Sequence, residues 1–194
     1  MPEFLREKDL MSRIDKRYES DYETTRQLNA KGKMVSVQKY IGPRYYCGLT
    51  AQEKTRKRGQ LLLFMGACLF SYLYAATREV AGNSRGLPGA LGGLIMVALL
   101  FMLIGLLRWC CYPDPLERIQ YERSVIYVCY SGAIGAAVGG LNLIAQVVSV
   151  ITSGEEPELG ILTILGYTVT TAMLYFLYRT MKAVPYREEA GSGS

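Results

Sequence analysis

Residues 124–151 read SVIYVCYSGAIGAAVGGLNLIAQVVSVI, an unbroken run without a charged side chain. About 20 consecutive apolar residues suffice to cross the hydrocarbon core of a bilayer as a helix. A bilayer offers no water to satisfy the backbone, so a helix is the natural form of such a run. Within it Gly135, Gly139, Asn142, Gln146 and Ser149 follow one another at steps of 4, 3, 4 and 3, which is one face of a helix. Glycines there permit close backbone approach. Asn142 and Gln146 then add hydrogen bonds across the seam, each worth about 0.6–2 kcal/mol. The stripe is expected to face protein: another helix of the same bundle, a second subunit, or a narrow polar pathway.

Three further runs have the same character: LLLFMGACLFSYLYAA at 61–76, LPGALGGLIMVALLFMLIGLL at 87–107 and LGILTILGYTVTTAMLYFLY at 159–178. Across 61–107, 124–151 and 159–178 the charged side chains are Arg78, Glu79 and Arg85, all in one gap. The chain has 194 residues, too few to wrap four wholly apolar helices in soluble structure. The expected fold class is therefore all-α integral membrane, with transmembrane helices at about 60–77, 87–107, 124–151 and 159–178 inside a bundle spanning 50–182.

Flanking charge predicts the orientation. With both termini cytoplasmic, Arg78 and Arg85 are outside and every other Lys and Arg is inside. The third connection, 152–158, holds Glu155, Glu156 and Glu158 and no base. The expected location is the plasma membrane, with both ends inside. Trp109 and Tyr112 fit an interfacial belt at the cytoplasmic end of the second span. The basic run Lys54, Arg56, Lys57 and Arg58 is expected to lie on the anionic inner leaflet, making membrane lipids a partner. The short connections predict that span 1 lies beside span 2, and span 3 beside span 4.

Two cap signatures are present. Thr50 followed by Glu53 is a capping box, so the first helix is expected to begin there. Asp114-Pro115-Leu116-Glu117 has Asp at N-cap, Pro at N1 and Glu at N3, which predicts a third helix starting at Asp114 and projecting into the cytoplasm. Residues 1–30 carry Phe4, Met11, Ile14, Tyr18, Thr25 and Leu28 at near-heptad spacing among mixed charges, and read as a cytoplasmic amphipathic helix. Residues 31–49 are basic, with β-favouring Val35, Val37 and Ile41 and a Gly42-Pro43 turn, and read as an extended segment or small β-hairpin. Residues 183–194 are a tail ending in linker-like Gly191-Ser192-Gly193-Ser194.

The sequence has no histidine, which removes imidazole catalysis, imidazole metal sites and His proton relays. No Asp, Glu, Lys, Arg or His falls inside a span, where proton-coupled transporters and pumps usually need one. No phosphate loop, zinc motif, nucleophile elbow or dinucleotide fingerprint is present. No catalytic residue, metal or cofactor is expected, and no nucleic acid. The leading reading is a non-enzymatic subunit or adaptor acting through its cytoplasmic face, on another membrane protein or on itself. The alternative is a homo-oligomeric channel or transporter with a polar pathway along spans 3 and 4. A lipid-modifying enzyme using Asp114 and Glu117 is weaker, because those acids are explained as caps.

Overall fold

The computed structural model describes residues 16–28, 33–84, 86–153 and 157–191. It is mostly helical, with a small amount of sheet. The chain divides into two compact units, each assembled from separate stretches: Gly48–Tyr112 with Glu122–Pro185, and Met1–Cys47 with Pro113–Tyr121 and Tyr186–Ser194.

The first of these units holds four long helices: α1 (Ala51–Ala76), α2 (Gly86–Cys111), α3 (Tyr127–Ser153) and α4 (Pro157–Lys182). Four helical runs, Ala51–Ala76, Gly86–Cys111, Arg118–Thr152 and Glu158–Lys182, are long and apolar enough to cross a membrane. α1 starts where its cap signature places it. Thr50 is extended at φ −63° and ψ 157°, its hydroxyl accepts from the Glu53 N–H, and the Glu53 carboxylate accepts from the Thr50 N–H at 2.9 Å. The reciprocal pair satisfies two of the amide donors that every helix start leaves open.

α3 extends a longer helical run that begins at Arg118 and includes a π-helical stretch, Glu122–Ile126. That stretch packs on α2 at Gly105, where an added Cβ would meet Val128 at 3.0 Å and the Ser124 carbonyl at 3.1 Å. A π turn widens the helix locally, and the missing side chain at Gly105 leaves room for it.

α3 packs along both α2 and α4, whereas α1 packs mainly along α4 and much less against α2. Span 3 does lie beside span 4, but the expected pairing of spans 1 and 2 is only a minor contact. The chain between α1 and α2 is the reason. It forms a helical turn, Ala81–Ser84, that packs on α2 and α3. The α1–α4 seam is close: the Ser71 hydroxyl donates to the Gly166 carbonyl at 2.8 Å, and a Cβ on Gly166 would lie 2.8 Å from that of Ala75. Leu61, Met65, Ile95, Leu99, Met102, Leu106, Trp109, Leu174, Leu177 and Met181 are buried in this unit.

The second unit contains two small sheets. β1 (Tyr22–Leu28) and β2 (Met34–Tyr40) form an antiparallel pair, with Tyr22 opposite Tyr40 and Leu28 opposite Met34. β3 (Arg44–Cys47) lies between β4 (Leu116–Glu117) and β5 (Tyr186–Glu189), antiparallel to both. Tyrosine carries much of the packing. Tyr45 stacks on Tyr121 at 4.2 Å between ring centres, Tyr186 meets Tyr121 edge-on at 5.1 Å, and Tyr22 meets Tyr40 at 5.2 Å. Tyr rings bury large areas while the hydroxyl keeps a polar partner, which suits a unit with few aliphatic side chains.

One expectation for the N- and C-terminal segments is corrected in this unit, and two others gain detail. The amphipathic helix of 1–30 is absent over 16–28, where Lys16–Asp21 is a 3-10 turn and β1 follows; the remainder of that helix lies outside the described residues. The Thr24-Thr25 pair favours extended chain, and pairing with β2 overrides the weak heptad. Over 33–49 the segment holds two strands, in keeping with the extended or hairpin reading; β2 pairs backwards to β1 and β3 joins the other sheet, with Gly42-Pro43 between them. In the tail that begins at 183, Tyr186–Glu189 is a strand, ahead of the linker-like residues.

Asp114 is not an N-cap and Glu117 is not N3. Leu116 and Glu117 pair with Tyr45 and Arg44, and helix begins only at Arg118. Leu116 is buried, so the ladder and the burial together outcompete a local cap.

Candidate functional site

The helix α3 brings its predicted stripe into the bundle. Gly135 faces Ala98 of α2 and Leu174 of α4, and a Cβ there would lie 3.1 and 3.2 Å from them. Gly139 lies against Thr171, with no room for a Cβ. Asn142 is 0 % and Gln146 1 % exposed, while Ser149 is half-buried. The stripe therefore faces protein within one chain. Leu141, just off it, is 58 % exposed.

Around Gln146 the structure assembles a neutral polar cluster that periodicity could not reveal. Asn83, from the turn between α1 and α2, is its hub. Its Oδ1 accepts from Gln146 Nε2 at 3.0 Å and from the Tyr167 hydroxyl at 3.1 Å. Its Nδ2 donates to the Ala75 carbonyl at 2.7 Å and the Arg78 carbonyl at 3.0 Å. Tyr72 lies 6.1 Å from Tyr167, ring to ring, and donates to the Gly92 carbonyl at 2.9 Å. One side-chain amide thus links the end of α1 to α3 and α4. Asn83 was not singled out by sequence reading because it lies in a connection, outside any periodic face.

The α4 threonines do not extend this cluster into a polar path. Thr168, Thr170 and Thr171 donate to the carbonyls of Ile164, Gly166 and Tyr167, one turn back on their own helix. Such back-bonding satisfies the hydroxyl within the helix.

The basic run divides in two. Arg56 is exposed and Lys57 half-buried, but Lys54 is buried and Arg58 half-buried. The Lys54 Nζ lies 5.9 Å and the Arg58 Cζ 5.8 Å from the ring centre of Trp109. Arg58 also donates to the Trp109 and Tyr112 carbonyls at 3.5 and 3.4 Å. A cation against the last carbonyls of a helix is favourable, so Arg58 closes the end of α2. Trp109, expected in the interfacial belt, is instead buried. A sequence signal for this existed: 54, 58, 61, 65, 68, 72 and 75 fall at steps of 4 and 3, so Lys54 and Arg58 prolong the buried face of α1.

In the sheet unit Glu117 accepts from the Tyr22 hydroxyl at 2.9 Å, and the Gln120 side chain accepts from the Glu117 N–H at 3.2 Å. Burial, then the bond to Glu117 and its negative charge, push the Tyr22 phenol well above its ordinary 10.0. Tyr40 donates to the Pro43 carbonyl at 2.7 Å and accepts from the Arg118 N–H at 2.9 Å. Burial pushes its phenol up as well. The far end of the β1–β2 pair differs: Leu28, Met34, Val35 and Val37 are all exposed.

The cysteines are Cys47, Cys68, Cys110, Cys111 and Cys129, and all are free thiols. Among the described residues no three His, Cys, Asp or Glu side chains are grouped so as to hold a metal ion. No family model, curated protein or solved structure matches this chain.

Proposed function

We propose that this chain is a four-span protein of the plasma membrane, with both termini in the cytoplasm, that works as a non-enzymatic subunit or adaptor. The observation that carries the reading is the β1–β2 pair. Leu28 is 70 % and Met34 64 % exposed, opposite one another in the register. Alternation puts Val35 and Val37 on the other face of the same pair, also exposed. A two-stranded sheet is marginal in water, and apolar side chains on both of its faces are a surface for a protein partner. Strand addition to an open edge and packing over Leu28 and Met34 are the two modes such a pair supports.

With four spans, the chain before α1, between α2 and α3, and after α4 emerges on one side. Every segment of the sheet unit belongs to those stretches, so the docking surface is cytoplasmic in this orientation. Arg56 and Lys57 remain available to anionic lipid, while Lys54 and Arg58 serve the bundle.

The test is the size of the complex extracted from source membranes in mild detergent. The unaltered chain should migrate with a stoichiometric second protein, or with itself. The double variant Leu28→Glu, Met34→Glu should migrate as a single chain with its melting temperature unchanged. Equal complexes from both would end the reading. A second reading, a channel or transporter with its path along α3 and α4, has the buried Asn142 and Gln146 in its favour. The self-bonded threonines of α4 weigh against it.

A further inference from the structure

We infer that Asn142 and Gln146 form an internal binding site for water, enclosed within the helix bundle. The inference is independent of the docking role proposed for β1–β2. Asn142 is fully buried, and neither its Nδ2 nor its Oδ1 has a hydrogen-bond partner among the described residues. Gln146 spends its Nε2 on Asn83 and leaves its buried Oε1 without one. Buried amides without partners are costly, and native interiors commonly meet such groups with ordered water.

The chemistry of the unmatched atoms selects the occupant. Two acceptor oxygens and an NH2 group are unmatched, which calls for a molecule that both donates and accepts. Water does so. A cation would answer both oxygens but face the Asn142 N–H, and an anion would face both oxygens. Within the apolar runs 61–76, 87–107, 124–151 and 159–178 neither finds a countercharge, because these runs contain no Asp, Glu, Lys, Arg or His.

The enclosure is built from the same cluster. Asn83 and Tyr167 tie off one end, and Gly82 lies directly against Gln146, where a Cβ would collide with Oε1. Thr171, bonded to its own helix, lies against Gly139 one turn before Asn142. The turn Ala81–Ser84 is thus the lid of the site, and Gly82 is the residue whose lack of a side chain lets it close.

The experiment uses the full chain in lipid vesicles, labelled with ¹³C and ¹⁵N at asparagine and leucine. The sequence has three asparagines, Asn29, Asn83 and Asn142, of which Asn29 and Asn142 follow a leucine, so the variant Asn29→Gln leaves the Leu141–Asn142 link to identify the Asn142 signal. Water-edited solid-state NMR should transfer magnetisation from water to the Asn142 side-chain amide several-fold faster than to the backbone amide of fully buried Leu99. Equal rates overturn the inference, because they mean that Asn142 is bonded to its own chain or to nothing. The variant Asn142→Leu gives a second measurement. Loss of a bound water should lower its melting temperature, whereas removal of a merely unmatched amide should raise it, and a rise overturns the inference. The spectra need only the unaltered Asn142, so a Leu variant that does not fold leaves the test standing.

Discussion

Gly139 and Leu141 lie two residues apart on α3 and face opposite surroundings, Thr171 on one side and the exposed surface on the other. Replacing Gly139 by Leu forces a side chain into a closed seam, an overpacking expected to cost about 1–3 kcal/mol or more. Replacing Leu141 by Ala removes exposed surface and should stay within about 0.5 kcal/mol. Melting temperatures in one detergent should therefore fall clearly for the first and hardly move for the second. Tyr22 provides a pH-dependent counterpart. Its folded-state phenol is raised above the ordinary 10.0, so the folded state binds that proton more tightly than the unfolded state does. The stability it contributes is complete below about pH 10 and is lost as pH rises toward the folded value. Tyr22→Phe should lose about 1 kcal/mol at pH 8, with the gap narrowing above pH 10. Urea midpoints reported by a dye on Cys47 would show this, and a gap that widens with pH would contradict it. The Asn142–Gln146 stripe was legible because its residues share one helix and one period. Asn83 was not, because nothing in the local sequence of a connection states which helices it will reach.

At the scale of elements, the two cap signatures had opposite outcomes. Thr50 and Glu53 close on each other because nothing competes for them. Thr50→Ala should cost about 0.5–2 kcal/mol, seen as faster amide exchange confined to the first turn of α1. Asp114 to Glu117 has equally good capping chemistry, but the backbone of Leu116 and Glu117 is claimed by Tyr45 and Arg44. Leu116 is the side chain that matters there. Leu116→Ala should cost about 2–5 kcal/mol and loosen the β3–β4–β5 sheet, visible as loss of exchange protection in Arg44–Cys47 and Tyr186–Glu189, while the four long helices keep theirs. Equal protection before and after would show that the sheet does not depend on this burial. The strand β1 marks the same limit from another side. Tyr22–Leu28 satisfies a loose helical spacing and a β preference together, and the pairing with β2 decides between them.

For the whole molecule, the proposed orientation predicts which thiols an impermeant maleimide reaches in intact cells. A cysteine in place of exposed Glu79 should be labelled, whereas Cys47 and exposed Cys111 should not be until the membrane is opened. Labelling of Cys47 in sealed cells would reverse the topology. The number of long helices, their bounds to within a few residues of the described ones, and the start of α1 were all determined by the sequence alone. Apolar run length, the lack of interior charge and a self-contained cap are local quantities, and a helix satisfies its backbone without help from elsewhere. Which helices become neighbours, the turn that carries Asn83 among them, the burial of Lys54 and Trp109, and the three-stranded sheet drawn from three distant stretches were decided only by tertiary structure. Each of these depends on contacts between residues far apart in the chain, where competing local preferences differ by about 1 kcal/mol and the burial of a single large side chain outweighs them.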